Sequence, residues 1–394
     1  MGRRPDTLPS ARGNDVNSSP FPSRSLELPA SIRAGLVIGL LYVFLVGVGL
    51  LESGIQSMGA DVQTDLFDSV TNPLAGVFVG VLATVLVQSS SVTTATIVAL
   101  VAGSSLSVGD AVPVIMGANM GTTVTNTLAA LGHMRQGPEF KRAFAAATVH
   151  DFFNVLAVMV LLPLETQFGV LSGPAEWMSG QLVGSGGTTW KSPIKRWVKN
   201  PVGWVEDGVA SLGLDGNWLG VALLLVGLTL ILVGLAFITK NMRQLIADRV
   251  ERSVNQVLGR GGGLVAMALG LVITLMVQSS SITTSILVPL SATGVLSLAN
   301  AFPVTLGANV GTTITALLAS LATDSPESLT VALSHTLFNL AGIAIFYPMK
   351  RLRQLPITLA ERLSEVASDR RPLAFAYVIG AFIILPIVGI AILR

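Results

Sequence analysis

Two strings decide the fold: VQSSSVTT at residues 87–94 and VQSSSITT at residues 277–284. Each interrupts an apolar stretch. Each is followed, at the same distance, by PVIMGANMGTTVT (113–125) or PVTLGANVGTTIT (303–315). Hydroxyls and amides at membrane depth are costly unless a ligand or an internal partner satisfies them. A duplicated cluster of this kind points to a ligand site built from two halves. Aligned on Gln88 and Gln278, the copies keep a constant offset of 190 residues through Thr125 and Thr315, with 21 of 38 positions identical. After a short gap, ATVHDFFN (147–154) matches ALSHTLFN (332–339).

The rest of the chain agrees with a membrane setting. Hydrophobic residues make up 51% and charged residues only 12% of 394, where a soluble domain carries about 25% charged residues. Mean hydropathy is +0.70. The absence of cysteine excludes disulfide and thiol chemistry, and a net charge of +2 gives no reason to expect nucleic acid. Residues 1–31 read as a flexible cytoplasmic tail and not a cleaved signal, because 32–51 is long enough to stay as a helix in the bilayer.

Full spans are expected at 32–51, 111–131, 143–164, 218–239, 302–321, 331–348 and 373–393. Basic residues gather before the first span and at 135–142, 240–260 and 350–371. The positive-inside rule places those segments in the cytoplasm and makes 165–217 an extracytoplasmic loop. That loop reads as an irregular cap with Trp177, Trp190, Trp197 and Trp204 as interfacial anchors, although its own lysines oppose the placement. Seven crossings would leave Arg394 outside.

The stretches flanking each QSSS are too short to cross. Residues 74–87 make about 21 Å of helix against a hydrocarbon core of roughly 30 Å. They are expected to form re-entrant hairpins that break at 88–91 and at 278–281, with the second half-helices beginning near Ser91 and Ser281. Three crossings per copy is odd, so the second copy should be inverted. The fold class is thus all-α integral membrane, with two inverted-topology repeats, each with a re-entrant helical hairpin and a broken helix. Repeat 1 covers 32–164 and repeat 2 covers 218–349. Residues 350–394 form a cytoplasmic segment and a last helix. Inverted repeats with broken helices meeting at mid-membrane characterise secondary transporters.

No Lys or Arg occurs between Arg33 and Arg135 or between Arg260 and Lys350. An anion held there relies on helix amino termini and on the hydroxyls and amides of Ser89, Ser90, Ser91, Ser279, Ser280, Ser281, Asn119 and Asn309. Its charge must be offset by bound cations. Gln88, Gln278, Thr122, Thr123, Thr312 and Thr313 offer neutral oxygens that suit Na⁺. So do carbonyls freed if 117–121 and 307–311 unwind. The alternative is that glycines pack helices closely and threonines bond their own helix. Asp151 has no counterpart carboxylate, because Thr336 stands in its place, and a lone carboxylate inside a span is a functional candidate. It could bind a further Na⁺, carry a proton or partner His150.

At these residues the chain resembles the type II sodium-dependent inorganic phosphate cotransporter family, including its bacterial members. The likeness rests on the paired QSSS strings, GANMGTTVTNT with GANVGTTIT, EFKRAFAAATVHDFFN with LLPLE, and ALSHTLFNLAGIAIFYP with RLRQLPITLAERL. It covers nearly everything beyond the tail. It implies Na⁺-driven uptake of inorganic phosphate by alternating access in the inner (plasma) membrane, without a cofactor beyond the coupling ion. By resemblance Asp151 matches the acidic position of electrogenic members, and Thr312, Thr315 and Asn154 match a Na⁺ site. Ala118 and Ala308 stand where many members have serine. About three Na⁺ per HPO₄²⁻ would make uptake electrogenic. The alternatives are another oxyanion (sulfate or a carboxylate) or a passive anion channel. An intramembrane serine hydrolase using His150 and Asp151 is disfavoured, because adjacent residues project about 100° apart on a helix. Lipid is the one further partner expected; oligomeric state is not legible.

Overall fold

The computed structural model describes residues 29–58, 72–135, 137–183, 192–260 and 262–393, and every element among them is helical. The tail before residue 29, Trp190 and Lys191 lie outside the described residues. The first copy contains α1 (Ala30–Gln56), α2 (Pro73–Val87), α3 (Ser90–Ala102), α4 (Val108–Gly121), α5 (Val124–Leu131) and α6 (Gly137–Phe168). Next come α7 (Ser172–Val183) and α8 (Pro193–Ala210). The second copy contains α9 (Gly216–Arg260), α10 (Gly263–Val277), α11 (Ser280–Ala292), α12 (Leu298–Ser320) and α13 (Pro326–Phe346). The chain closes with α14 (Lys350–Asp369), α15 (Pro372–Ile379) and α16 (Leu385–Leu393), the last two joined by a π-helical stretch, Gly380–Ile384.

Among the described residues six helices are long and apolar enough to cross a membrane: Ser31–Gln56, Gly137–Phe168, Gly216–Met242, Leu298–Ser320, Pro326–Phe346 and Pro372–Leu393. The seventh expected span, 111–131, is not one helix. It stops at Gly121 and restarts at Val124, with Thr122 and Thr123 between. Arg394 itself lies outside the described residues. The second correction concerns 165–217, whose described residues are not irregular but carry α7 and α8. The strong amphipathicity of α8 supplies the reason. Val198 and Val202 are buried in the core while Trp197 and Trp204 are exposed.

Each QSSS string breaks a helix as expected. α2 has 15 residues and α3 has 13. Gln88 and Gln278 adopt left-handed backbone angles, with φ of 57° and 56°. A non-glycine residue there ends a helix sharply. The half-helix then restarts at Ser90 and Ser280, one residue earlier than expected, because Ser89 and Ser279 are extended N-caps. Their hydroxyls accept from the amides of Val92 (3.3 Å) and Ile282 (3.4 Å).

Glycine contacts fix the direction of the arms. The α-carbon of Gly80 lies against Val114 and Ala118, Gly117 against Val77, and Gly121 against Val81 and Thr84. Rising numbers meet rising numbers, so α2 and α4 run parallel and in contact. α3 must therefore return from the tip to the level at which α2 began, which makes α2–α3 a helical hairpin. Gly270, Gly307 and Gly311 repeat the pattern between α10 and α12. The GANxG glycines thus serve close packing. Against expectation, 307–311 does not unwind: α12 runs unbroken through it.

The two leading helices, α1 and α9, pack through glycines in the opposite sense. Gly47 faces the Gly227 carbonyl at 2.8 Å from an ideal Cβ position, and Gly54 faces that of Gly220 at 2.9 Å. Rising numbers meet falling numbers, so α1 and α9 are antiparallel. The core between the copies is aromatic, with Phe153 edge-on to Phe302 (6.0 Å) and to Phe346 (6.2 Å).

Candidate functional site

The two hairpin tips touch. The Ser91 hydroxyl of the first copy donates to the Gln278 carbonyl of the second (3.4 Å), and the Ser281 hydroxyl donates to the Thr122 carbonyl (3.4 Å). Beside them Thr315 donates to the Gln278 side-chain oxygen (2.9 Å), and Thr125 donates likewise to Gln88 (3.2 Å). The serines of each triplet thereby divide their work. Ser89 and Ser279 cap. Ser91 and Ser281 reach across the seam. Ser90 and Ser280 are buried in the first turns of α3 and α11, where main-chain N–H groups have no intrahelical acceptor. Two amino-terminal helix ends, each with a hydroxyl that bonds the other copy, come together without a basic side chain from either string. Such a cluster suits a small, multiply charged oxyanion.

Asn119 and Asn309 lie in a second cluster, one that ties the copies together. Asn119 Nδ2 donates to Asn339 Oδ1 (2.9 Å) and to Asn154 Oδ1 (3.3 Å), while Asn154 Nδ2 donates to the Asn119 carbonyl (3.0 Å). Asn309 Nδ2 donates to Asn154 Oδ1 (2.7 Å) and its Oδ1 faces His150 Nε2 (2.5 Å). His335 Nε2 faces Asn119 Oδ1 at 3.4 Å. All six residues are essentially inaccessible. Buried amides in this density need every partner they have, so this is a clamp between repeats. His150 is thereby directed to Asn309, and the serine–histidine pair that a hydrolase requires is not formed.

Asp151 stands apart from His150, as its place on the helix requires. Its Oδ2 accepts from the Tyr377 hydroxyl (2.8 Å) and, at 3.4 Å, from Thr127. Thr312 and Thr313 donate to Ala308 and Val310 of their own helix, and Thr122, on the interruption, donates back to Ala118 of α4. Their oxygens keep lone pairs for a cation. Gln88 and Gln278 also turn their amide nitrogens back, onto the Val85 (2.5 Å) and Leu275 (2.7 Å) carbonyls.

The model of the Na⁺/Pi-cotransporter family matches residues 43–167 and 230–360, one block for each copy. The chain belongs to that family. Sodium-dependent phosphate transport protein 2A of Rattus norvegicus is 33% identical, the alignment covering 97% of this chain and 71% of the relative. The 2A protein of Mus musculus is 34% identical over the same shares. The 2B protein of Homo sapiens is 32% identical over 90% of this chain and 64% of its own length. No solved structure matches the chain. Membership and the six apolar helices together make it a multi-pass membrane protein of a transporter family.

Two contributors to the site escaped sequence reasoning. Tyr377 belongs to the last helix, outside both copies, and only its polar tip in an apolar run signalled it. Asn126 donates to Thr284 (2.6 Å) and accepts from Ser285 (3.0 Å), stitching α5 to α11. Its repeat equivalent is Ala316, so the pattern that exposed the other residues could not expose it.

Proposed function

We propose that this protein is a secondary active symporter that couples Na⁺ entry to uptake of inorganic phosphate across the inner membrane. The observation that carries the reading is the meeting of the two QSSS tips in a site with no fixed positive side chain from either copy. Divalent phosphate there depends on N–H and hydroxyl donors and on co-bound cations. Ser90, Ser91, Ser280 and Ser281 hold the phosphate, while Ser89 and Ser279 shape its two helix ends. Gln88, Gln278, Thr122, Thr312, Thr313, Thr315 and Asp151 supply oxygens for Na⁺, while Asn154, whose amide oxygen already accepts from Asn119 and Asn309, stays in the clamp.

Antiparallel packing of α1 against α9 supports inversion of the second copy. The hairpins then enter the bilayer from opposite faces, with the amino terminus in the cytoplasm. Alternating access moves the two hairpin units against the Asn–His clamp. Moving HPO₄²⁻ into a negative interior is opposed by about 2.3 kcal/mol per charge per 100 mV. Two Na⁺ cancel its charge and a third, at Asp151, makes each cycle electrogenic.

Labelled phosphate uptake into proteoliposomes, with the Na⁺ gradient and voltage imposed separately, tests the reading. Uptake should require Na⁺ and carry one net positive charge per phosphate, and Asp151→Ser should make it electroneutral. Uptake indifferent to Na⁺ would indicate a channel, and preference for sulfate or a carboxylate would change the cargo.

A further inference from the structure

Asp151 offers its two carboxylate oxygens very different surroundings. Oδ2 receives the Tyr377 hydroxyl at 2.8 Å and Thr127 at 3.4 Å. Oδ1 is buried and has no hydrogen-bond partner among the described residues. A buried carboxylate oxygen without a donor is costly and calls for a ligand. Thr123 lies beside the carboxylate, and its hydroxyl also donates to the Met120 carbonyl (2.8 Å).

The first copy alone is built this way. Thr127 corresponds to Leu317 and Asp151 to Thr336, whose hydroxyl bonds Ala332 of its own helix (3.1 Å). The helix break at Thr122–Thr123 is likewise confined to the first copy. Thr122 on that break receives the Ser281 tip. The carboxylate and the tip of the other copy therefore bear on adjacent residues of one interruption.

Tyr377 comes from α15, which belongs to neither repeat. Its ring is held edge-on by Phe144 (6.2 Å, 75°) on one side and Phe382 (6.1 Å, 87°) on the other. Phe382 lies within the π-helical stretch that follows α15. Such single-turn π segments frequently accompany functional sites, because they re-aim neighbouring side chains.

Resting on the symport reading, we propose that Tyr377 is a positioning residue of the Asp151 cation site: its hydroxyl occupies Oδ2 and so presents Oδ1 to the coupling Na⁺. The last helix is then part of the coupling machinery and not only a flank to the repeats. Removing the phenol hydroxyl lets the carboxylate rotate and weakens Na⁺ binding while leaving the serine tips intact.

The test is Na⁺ activation of phosphate uptake by the full chain in proteoliposomes. Tyr377→Phe should raise the Na⁺ concentration for half-activation roughly fivefold to tenfold, the loss of one charge-assisted hydrogen bond. The phosphate KM at saturating Na⁺ should stay within about twofold. Thr127→Ala, acting on the same oxygen at longer range, should shift Na⁺ activation in the same direction by less, and serves if Tyr377→Phe does not fold. In an Asp151→Asn background Tyr377→Phe should add no further shift. Unchanged Na⁺ activation, or a uniform fall in maximal rate alone, overturns the inference while the symport reading stands. Wild-type uptake that ignores Na⁺ overturns both.

Discussion

Asn309 offers the sharpest separation of clamp from ligand. Asn309→Ala removes the acceptor facing His150 Nε2 at 2.5 Å and the donor to Asn154 Oδ1 at 2.7 Å. Asn154 Oδ1 keeps the Asn119 donor, but His150 Nε2 is left in a site that water does not reach. Within a membrane protein each side-chain hydrogen bond contributes about 0.6 kcal/mol on average. A buried donor stranded by truncation costs a further ~1–3 kcal/mol. Together the loss is about 2–4 kcal/mol, which should lower the unfolding midpoint in detergent by roughly 2–5 °C for a chain of this length. The cost should be strongly non-additive with Asn154→Ala, since both act in one network. The assay is thermal unfolding of purified protein with and without phosphate and Na⁺. If Asn309→Ala leaves the midpoint unmoved yet abolishes phosphate binding, Asn309 is a ligand and the clamp reasoning is wrong.

Three further outcomes follow from the packing and the ion pairs. Gly307→Val places a branched side chain against the Met267 carbonyl. It should therefore abolish folded yield, at a cost above about 3 kcal/mol, whereas Gly35→Ala, facing open space, should stabilise by about 0.5–1 kcal/mol; expression with size-exclusion profiles compares them. Lys195→Ala breaks contacts to Glu52 (2.9 Å) and Asp324 (3.6 Å) and strands the buried Glu52. It should destabilise by about 1–3 kcal/mol, with partial recovery on adding Glu52→Gln, read by the same melts. The exposed Glu365 carboxyl is held below its ordinary 4.5 by the Lys141 ammonium at 2.7 Å. Its contribution is present above that ordinary value and lost as pH falls through the lowered one, so Lys141→Ala should flatten only this acid limb of a stability–pH curve.

Much of the site was legible because the chain states it twice. Matching QSSS strings located both helix breaks to within a residue, since a polar cluster in an apolar run is costly unless it ends a helix or meets a ligand. What stayed hidden was whatever the two copies do not share. The interruption at Thr122–Thr123 has the same sequence as the continuous stretch at Thr312–Thr313, so only the packing around it differs. Asn126 and Tyr377 have no repeat partner to mark them. GANxG read first as a segment that could unwind around a cation, with close packing as the alternative. Gly117 against Val77 and Gly307 against Met267 decide for packing. The segment after Glu165 looked irregular because its glycines and prolines mask the amphipathic pattern that folds α8 onto α1.

Counting bound phosphate per chain tests the central claim most directly. Equilibrium binding of labelled phosphate to purified protein in saturating Na⁺ should give one site per chain. That site should weaken when either Ser91 or Ser281 is changed to Ala, although the two serines lie in different copies. Two phosphates per chain, each answering to the serine of its own copy alone, would contradict a single oxyanion shared between touching hairpin tips.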